Sequence, residues 1–452
     1  MALKLGRRAA GVCAGLACAA YAGTLRAGNE DSFLFGDRAS LTAGATVASI
    51  TDTAAIWYNP AALGQNRRGR LELSGTAFTL RWRPIPNGLA LDLPSSRLES
   101  SIDSKELYVV PTSLAAVREI GDDVSVGVGL FVTEQDLFNF ERSLMASDGT
   151  VDLDVAGALT GTDIRYNAGP AIGWQATPRL RVGASIFGVY ELRHELRKLF
   201  VDARIAGAYA ATFFQRIVDA SVTRIGAELV VGAQLDAGAG WMVGFAARSP
   251  RLVFHEGAQT DNSTALISTG PGVPTVTTST VDHALIGAAG TGFTRPPRFA
   301  LGAAKRFEPI EVSAEVELRP PAFEAKRFVW NVRVGALWSA GPNTELGAGV
   351  FTDRSDAGVP AAFPDSRVDY YGLTAGWKQR NVLRLESGEH AGSLQFSTTI
   401  AVRYALGTGE STRIRFDFRD TASSGQVGRI ADERVDVTYH ELSLYLGTGF
   451  EF

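Results

Sequence analysis

The chain has 452 residues, a formal net charge of -4, and 49 Gly, 24 Phe and 11 Tyr against only three Met. So even a balance offers no concentrated basic surface for nucleic acid, and the Gly-rich, aromatic, Met-poor usage favours strands over helical bundles. Mean hydropathy of +0.04 is too low for a polytopic helical membrane protein. Past the N-terminus there is no run of about 18 apolar residues, which excludes transmembrane helices; strands that alternate apolar and polar residues escape that test.

Residues 1–22 read as an export signal: Lys4, Arg7 and Arg8 precede a mostly apolar stretch, Ala9 to Ala22. Ala20-Tyr21-Ala22 fits a small-x-small cleavage site and places the mature start near Gly23, with cleavage after Ala27 the second choice. Both cysteines, Cys13 and Cys18, fall inside this signal. The mature chain therefore has no disulfide, and closure of the sheet must supply its stability. From Gly36 to Leu63 the chain is rich in small residues, lacks a period of two, and ends on Trp57-Tyr58-Asn59-Pro60-Ala61. Such a segment is neither a membrane strand nor a stable domain by itself. It reads as a plug, residues 23–69, inside a barrel built from 70–452.

After Arg70 the dominant signal is period two. Val124, Val126, Val128, Leu130 and Val132 alternate with Ser125, Gly127, Gly129, Phe131 and Thr133. Ile310, Val312, Ala314, Val316 and Leu318 alternate with Glu311, Ser313, Glu315, Glu317 and Arg319. Strands of about 10 residues or more, repeated many times, suit a tilted bilayer span better than a soluble sandwich. Connections are short at Gly121-Asp122, 177–179, 236–240, Glu308-Pro309 and 341–343. They are long at 83–103, 135–160, 194–221, 257–291, 319–327 and 353–366. This asymmetry predicts an all-β fold: an antiparallel transmembrane β-barrel of about 14 strands, with tight periplasmic turns and long external loops. The final strand carries Leu442, Leu444, Leu446, Phe450 and Phe452 on one face. A closing aromatic of this kind resembles the signal read by the bacterial barrel-assembly machinery.

No catalytic motif is present: there is no Gly-x-Ser-x-Gly, no His-Glu-x-x-His and no phosphate loop. The five His are scattered without metal-ligand spacing. The expectation is no enzyme, no metal and no cofactor. Glu311, Glu315 and Glu317 form an inward row, expected to be neutralised by luminal Arg such as Arg224 and Arg333. Gly127/Gly129 and Gly447/Gly449 on inward faces admit close approach of a plug. In 194–221, Leu196, Leu199, Phe200 and Ala203, then Phe213, Phe214 and Ile217, recur at helical spacing. They predict a helical external loop that captures apolar molecules, or one that packs on 257–291. Luminal Phe131 is a candidate lining residue or a plug contact. Arg38 and Arg165 are placed to meet a carboxylate, from a ligand or from luminal Glu.

Arg38-Ala39, the Ala/Gly run, Asp52 and the terminal Tyr58-Asn59-Pro60-Ala61 together resemble the N-terminal hatch of the outer-membrane FadL family. The unit 228–257 is similar to that family's strand–turn–strand, with Arg248-Ser249-Pro250, His255 and Gly257 at the matching places. Arg295-Pro296-Pro297-Arg298-Phe299 resembles the Pro-containing start of its next strand. The resemblance implies an outer-membrane location and passive movement of long-chain fatty acids or other hydrocarbons. They would pass from an external groove to a pocket beside the hatch, then leave sideways at a kinked third strand. Arg38, Trp57, Tyr58, Asn59, Pro60 and Ala61 would be the hatch and gating residues. The implied partners are hydrophobic small molecules, outer-membrane lipids and the assembly machinery, for a barrel acting as a monomer. Gly36-Asp37-Arg38-Ala39 also resembles FadL-like barrels that dock components of type IX protein secretion, a second implied role without small-molecule transport.

Overall fold

Alternation along the chain becomes one continuous antiparallel sheet in the computed structural model, which describes residues 29, 33–65, 69–147, 149, 151–205, 210–270, 273–288, 292–324, 326–361, 363–385, 392–419 and 429–452. The expected signal at 1–22 lies outside these residues. The strands are β1 (Arg70–Asp92), β2 (Arg97–Gly121), β3 (Val124–Ser147), β4 (Val151–Gln175), β5 (Leu180–Ile205) and β6 (Ala210–Gly238). Then come β7 (Trp241–Arg248), β8 (Leu252–Gly270), β9 (Val273–Ala288), β10 (Gly292–Phe293), β11 (Arg298–Phe307) and β12 (Ile310–Arg319). The last five are β13 (Val329–Ser339), β14 (Thr344–Asp353), β15 (Ser366–Leu385), β16 (Gly392–Asp417) and β17 (Arg429–Glu451).

Successive strands pair from β1 to β7. β7 then pairs with β11, and the circuit continues to β17, which pairs back onto β1 through Leu71↔Phe450 and Leu80↔Leu442. The barrel is closed. Among the described residues the closed circuit, β1–β7 and β11–β17, has the expected 14 strands; the sheet's other segments, β8–β10, are set off from it by prolines, which cannot donate to a ladder. Ser249-Pro250 separates β7 from β8, and Pro296-Pro297 separates β10 from β11. β8 pairs with the outer half of β6 and carries β9 and β10 with it, prolonging the wall above the circuit.

The barrel is apolar outside and polar inside. On β12, Ile310, Val312, Val316 and Leu318 are exposed, whereas Ser313, Glu315, Glu317 and Arg319 are buried. A water-soluble sheet does the reverse, so this outward face is a lipid face. Exposed Trp174, Trp241, Phe307 and Trp338 near the short turns, with Trp82, Tyr166, Tyr190 and Tyr371 toward the other rim, supply two aromatic girdles.

The expected helical loop is not there. β5 and β6 stay paired up to Ile205↔Ala210, so Leu199, Phe200, Phe213, Phe214 and Ile217 lie on an extended hairpin. Among the described residues, most of 83–103 and 135–160 and much of 257–291 are likewise strand rather than loop, while those of 320–328 and 354–365 hold no strand. The cause is a change of medium along one strand. On β5 the exposed residues Ile186 and Tyr190 are even-numbered, facing lipid; farther out, buried Val201 and Ala203 are odd-numbered, facing the lumen. Where lipid gives way to water, the apolar face switches sides, and the mixed parity imitates a helical period.

Inside the barrel, α1 (Gly36–Leu41), α2 (Ala55–Tyr58) and a 3-10 turn at Pro60–Gln65 form the plug, nearly all of it buried. Gly36 has φ 77, and a Cβ there would meet Ala54 and the Asp52 carboxylate, so only glycine fits.

Candidate functional site

The plug is held by acceptors and donors that the barrel wall offers to its backbone. Glu72 on β1 accepts from the Thr53 amide (2.9 Å) and hydroxyl (2.6 Å). Glu315 on β12 accepts from the Thr46 and Val47 amides, both at 2.9 Å. Ser185 donates to the Ile56 carbonyl (2.8 Å) and Arg248 to the Trp57 carbonyl (3.0 Å). Charge-assisted bonds of this kind satisfy backbone groups that short helical turns leave open. Within the plug, Asp52 accepts from the Arg38 amide (2.9 Å) and the Ala54 amide (3.1 Å), joining the two helical turns. Burial, followed by the nearby Asp37 carboxylate, raises the Asp52 pKa above the ordinary aspartate value.

The motif Trp57 to Ala61 now has a physical reading. Asn59 is fully buried; its amide donates to the Val47 carbonyl (2.7 Å) and to the Ala233 carbonyl of β6 (3.2 Å). Its side-chain oxygen accepts from the Ala61 amide (3.2 Å), and Pro60 opens the 3-10 turn, where no donor is needed. Gly232 faces it, and a Cβ at that position would overlap the Asn59 amide. The Tyr58 hydroxyl accepts from the Phe35 amide (3.1 Å). Gly127 and Gly447 lie against Ile56 and Asp37 of the plug, as their inward positions predicted.

Against the outer side of the plug lies an aromatic nest. Phe131, fully buried, sits 5.2 Å from Phe35, 5.4 Å from Trp57 and 5.9 Å from Phe187, centroid to centroid. The Arg248 guanidinium stacks 3.7 Å above the Trp57 ring. On the opposite side of the plug a polar cavity of about 220 Å³ is lined by Arg38, Asp52, Glu345, Lys378 and Arg380, among others.

Above the nest the lumen is filled by paired charges. Glu191 meets Arg165, Arg193, Arg224 and Arg251; Glu228 meets Arg248 and Arg251. Above these, a second apolar core fills the outer lumen, including Leu91, Phe138, Phe140, Phe214 and Phe416, with Phe363 of the 354–365 connection packed 5.6 Å from Phe140. From outside to inside, then, the lumen runs apolar, ionic, aromatic, plug.

One seam interrupts the wall. β2 and β3 pair from Gly121↔Val124 to Ser113↔Phe131 and no farther among the described residues. Beyond that point β2 stays with β1, and β3 stays with β4 after a bulge between Val132 and Glu134. Pro111, which has no backbone N–H, stands on β2 where the strands part. The seam begins beside Phe131 and the aromatic nest.

Trp57 and Phe131 meet in the nest, with Tyr58 packed against it, whereas Asn59, Pro60 and Ala61 lie against β5 and β6. Arg38 lies apart, beside the polar cavity, with its side chain on Glu311. Arg165 sits in the ionic layer on Glu134 and Glu191. Arg333 does pair with Glu315 (2.7 Å) and Glu317 (3.3 Å). Arg224 instead meets Glu191, Glu256 and Glu324, because it lies on the outer half of β6, paired with β8, above the Glu311 row that starts at the inner turn of β12. The hairpin residues divide: Phe214 enters the outer core, while Phe213 pairs across the hairpin with half-buried Asp202 and is itself half-buried. Phe35, Phe187, Arg81, Arg83 and Asp136 carry no motif that marks them in the sequence. Phe187 and Phe131 are both inward on alternating strands, and that shared parity was the available signal.

No protein-family profile matches the chain, and no curated relative does. Solved structures do resemble it. A FadL homologue of Pseudomonas aeruginosa superposes with a TM-score of 0.59 at 13% identity, covering 94% of this chain and 100% of that one. The toluene transporter TodX of P. putida gives 0.56 at 13% identity, over 92% and 98% of the two chains. The monoaromatic hydrocarbon channel CymD gives 0.52 at 12%, over 95% and 99%. With its lipid-facing belt, closed circuit and internal plug, the chain has the FadL-family fold, that of an outer-membrane barrel plugged by its own N-terminal segment.

Proposed function

We propose that this barrel moves hydrophobic compounds, long-chain fatty acids or hydrocarbons, passively across the outer membrane. The observation that carries the reading is the order of the lumen. An apolar core faces the outside, an aromatic nest lies at the plug, and the wall parts beside that nest. Water-filled porins have polar, open lumens instead. Apolar solutes leave water for such a core at roughly 25 cal/mol per Å² of apolar area buried. An exit between β2 and β3 would release them into the bilayer without crossing the hydrogen-bonded plug. Similarity to TodX and CymD, a toluene transporter and a monoaromatic hydrocarbon channel, supports the same class of solute. Arg38 and the residues from Trp57 to Ala61 act in this scheme as the seat of the plug.

Mass spectrometry of molecules co-purifying with the detergent-extracted barrel tests the proposal. Reproducible enrichment of a fatty acid or hydrocarbon over a control barrel is the expected result. A barrel free of apolar ligand that retains a protein partner instead would replace transport with a docking role.

A further inference from the structure

Among the described residues, the parted strands leave backbone edges that no neighbouring strand covers. In a bilayer an unsatisfied backbone group costs several kcal/mol, so such an edge needs another partner. Two arginines of β1 provide it. Arg81 donates to the Gln135 carbonyl of β3 (3.2 Å), and Arg83 donates to the Leu137 carbonyl. Both guanidinium groups also hold the Asp136 carboxylate between those carbonyls, Arg81 at 3.1 Å and Arg83 at 2.6 Å. The reach is across β2, whose inward Glu106 binds Arg83 and whose Tyr108 hydroxyl accepts from Arg81 (3.2 Å). Arg81 is fixed from its other side by Glu441 of β17 at 2.6 Å.

The position is as informative as the bonding. The Arg83 guanidinium lies 5.4 Å from the Phe138 ring of the outer apolar core, while the seam below it opens beside Phe131 of the inner nest. The arginines thus stand between the two apolar compartments and at the top of the seam.

We propose that Arg81, Arg83 and Asp136 form an ionic latch that substitutes for the missing β2–β3 pairing and must part before an apolar solute can pass from the outer core into the seam. Removing the Asp136 charge takes away the anchor shared by both arginines and leaves each of them a single bond to a β3 carbonyl. The edges then separate more often. The consequence for flux rests on the transport reading; the consequence for the wall does not.

Spin labels on Lys105→Cys of β2 and Asn139→Cys of β3, both exposed, report the seam in lipid bilayers by electron–electron double resonance. Asp136→Asn is expected to broaden the distance distribution toward longer separations and to raise uptake of a labelled fatty acid several-fold. The swapped pair Arg83→Asp with Asp136→Arg is expected to restore the narrow distribution, which also covers the case of a poorly folded single variant. An unchanged distribution in Asp136→Asn, or a swapped pair as broad as the single variant, overturns the latch. A seam that widens while no variant takes up any apolar solute keeps the latch and refutes transport.

Discussion

Asn59 shows how one side chain can hold a plug. It satisfies a carbonyl inside the plug, a carbonyl on the wall and an amide of the next turn. Asn59→Ala leaves those groups without it, each at about 1–3 kcal/mol when buried. The barrel should still fold, while amide exchange across 47–62 should accelerate by more than tenfold. Asp52 gives the plug a pH dependence of definite sign. Its raised pKa means that the docked plug keeps a proton that the undocked chain releases above the ordinary aspartate value. Docking is then strongest below that value and weakens as pH rises through the shifted pKa. Asp37, Glu72, Arg70 and Lys378 face the same carboxylate; Asp37 adds to the shift, and Lys378 and Arg70 oppose it without cancelling it. The urea midpoint for plug release, read from a fluorophore on exposed Thr51→Cys, should fall from pH 4 to pH 8, and Asp52→Asn should flatten that slope. Residues such as Asn59 and Trp57 were legible as a motif before their bonds were known. Arg248 was visible only as part of Arg-Ser-Pro, because its partner, the Trp57 ring, is 191 positions away in sequence.

At the scale of elements, the bilayer-spanning strands were readable because lipid outside and a polar lumen inside impose one alternation from end to end. β3 and β12 were placed within a residue or two at their inner ends. The outer extensions were misread for a physical reason: beyond the lipid, the apolar residues change faces. On the β5–β6 hairpin that switch sorts two adjacent phenylalanines. Phe214 belongs to the outer core, and Phe214→Ser should destabilise it by about 3–5 kcal/mol, in the range for deleting a buried aromatic. Phe213 lies half-buried on the opposite face, and Phe213→Ser should cost less, about 1–2 kcal/mol, since less of the ring leaves a packed environment. Thermal melting of the two variants in detergent separates them; equal losses would place both side chains in one core.

For the whole molecule, closure and plugging were legible from loop asymmetry and from a segment that suited neither strand nor domain. The seam was not, since a missing pairing leaves no mark in the alternation of either strand, and Pro111 alone does not specify it. The layered lumen accounts for an apparent conflict, a hydrophobic path through a barrel full of salt bridges. Charges fill the lumen above the nest, and β2 and β3 part beside the nest and stay apart past that layer. In the proposed transport, an apolar solute leaves the outer core sideways into this seam once the Arg81–Arg83–Asp136 latch parts, without crossing the plug. The most direct test is uptake by cells that lack their own apolar-solute channels and carry this protein in the outer membrane. A radiolabelled long-chain fatty acid or toluene, compared with a sugar of similar size, should enter several-fold faster than in cells with an empty vector, with no gain for the sugar. Sugar entering as fast as the apolar solute, or no gain for either apolar solute at full expression, would contradict the account.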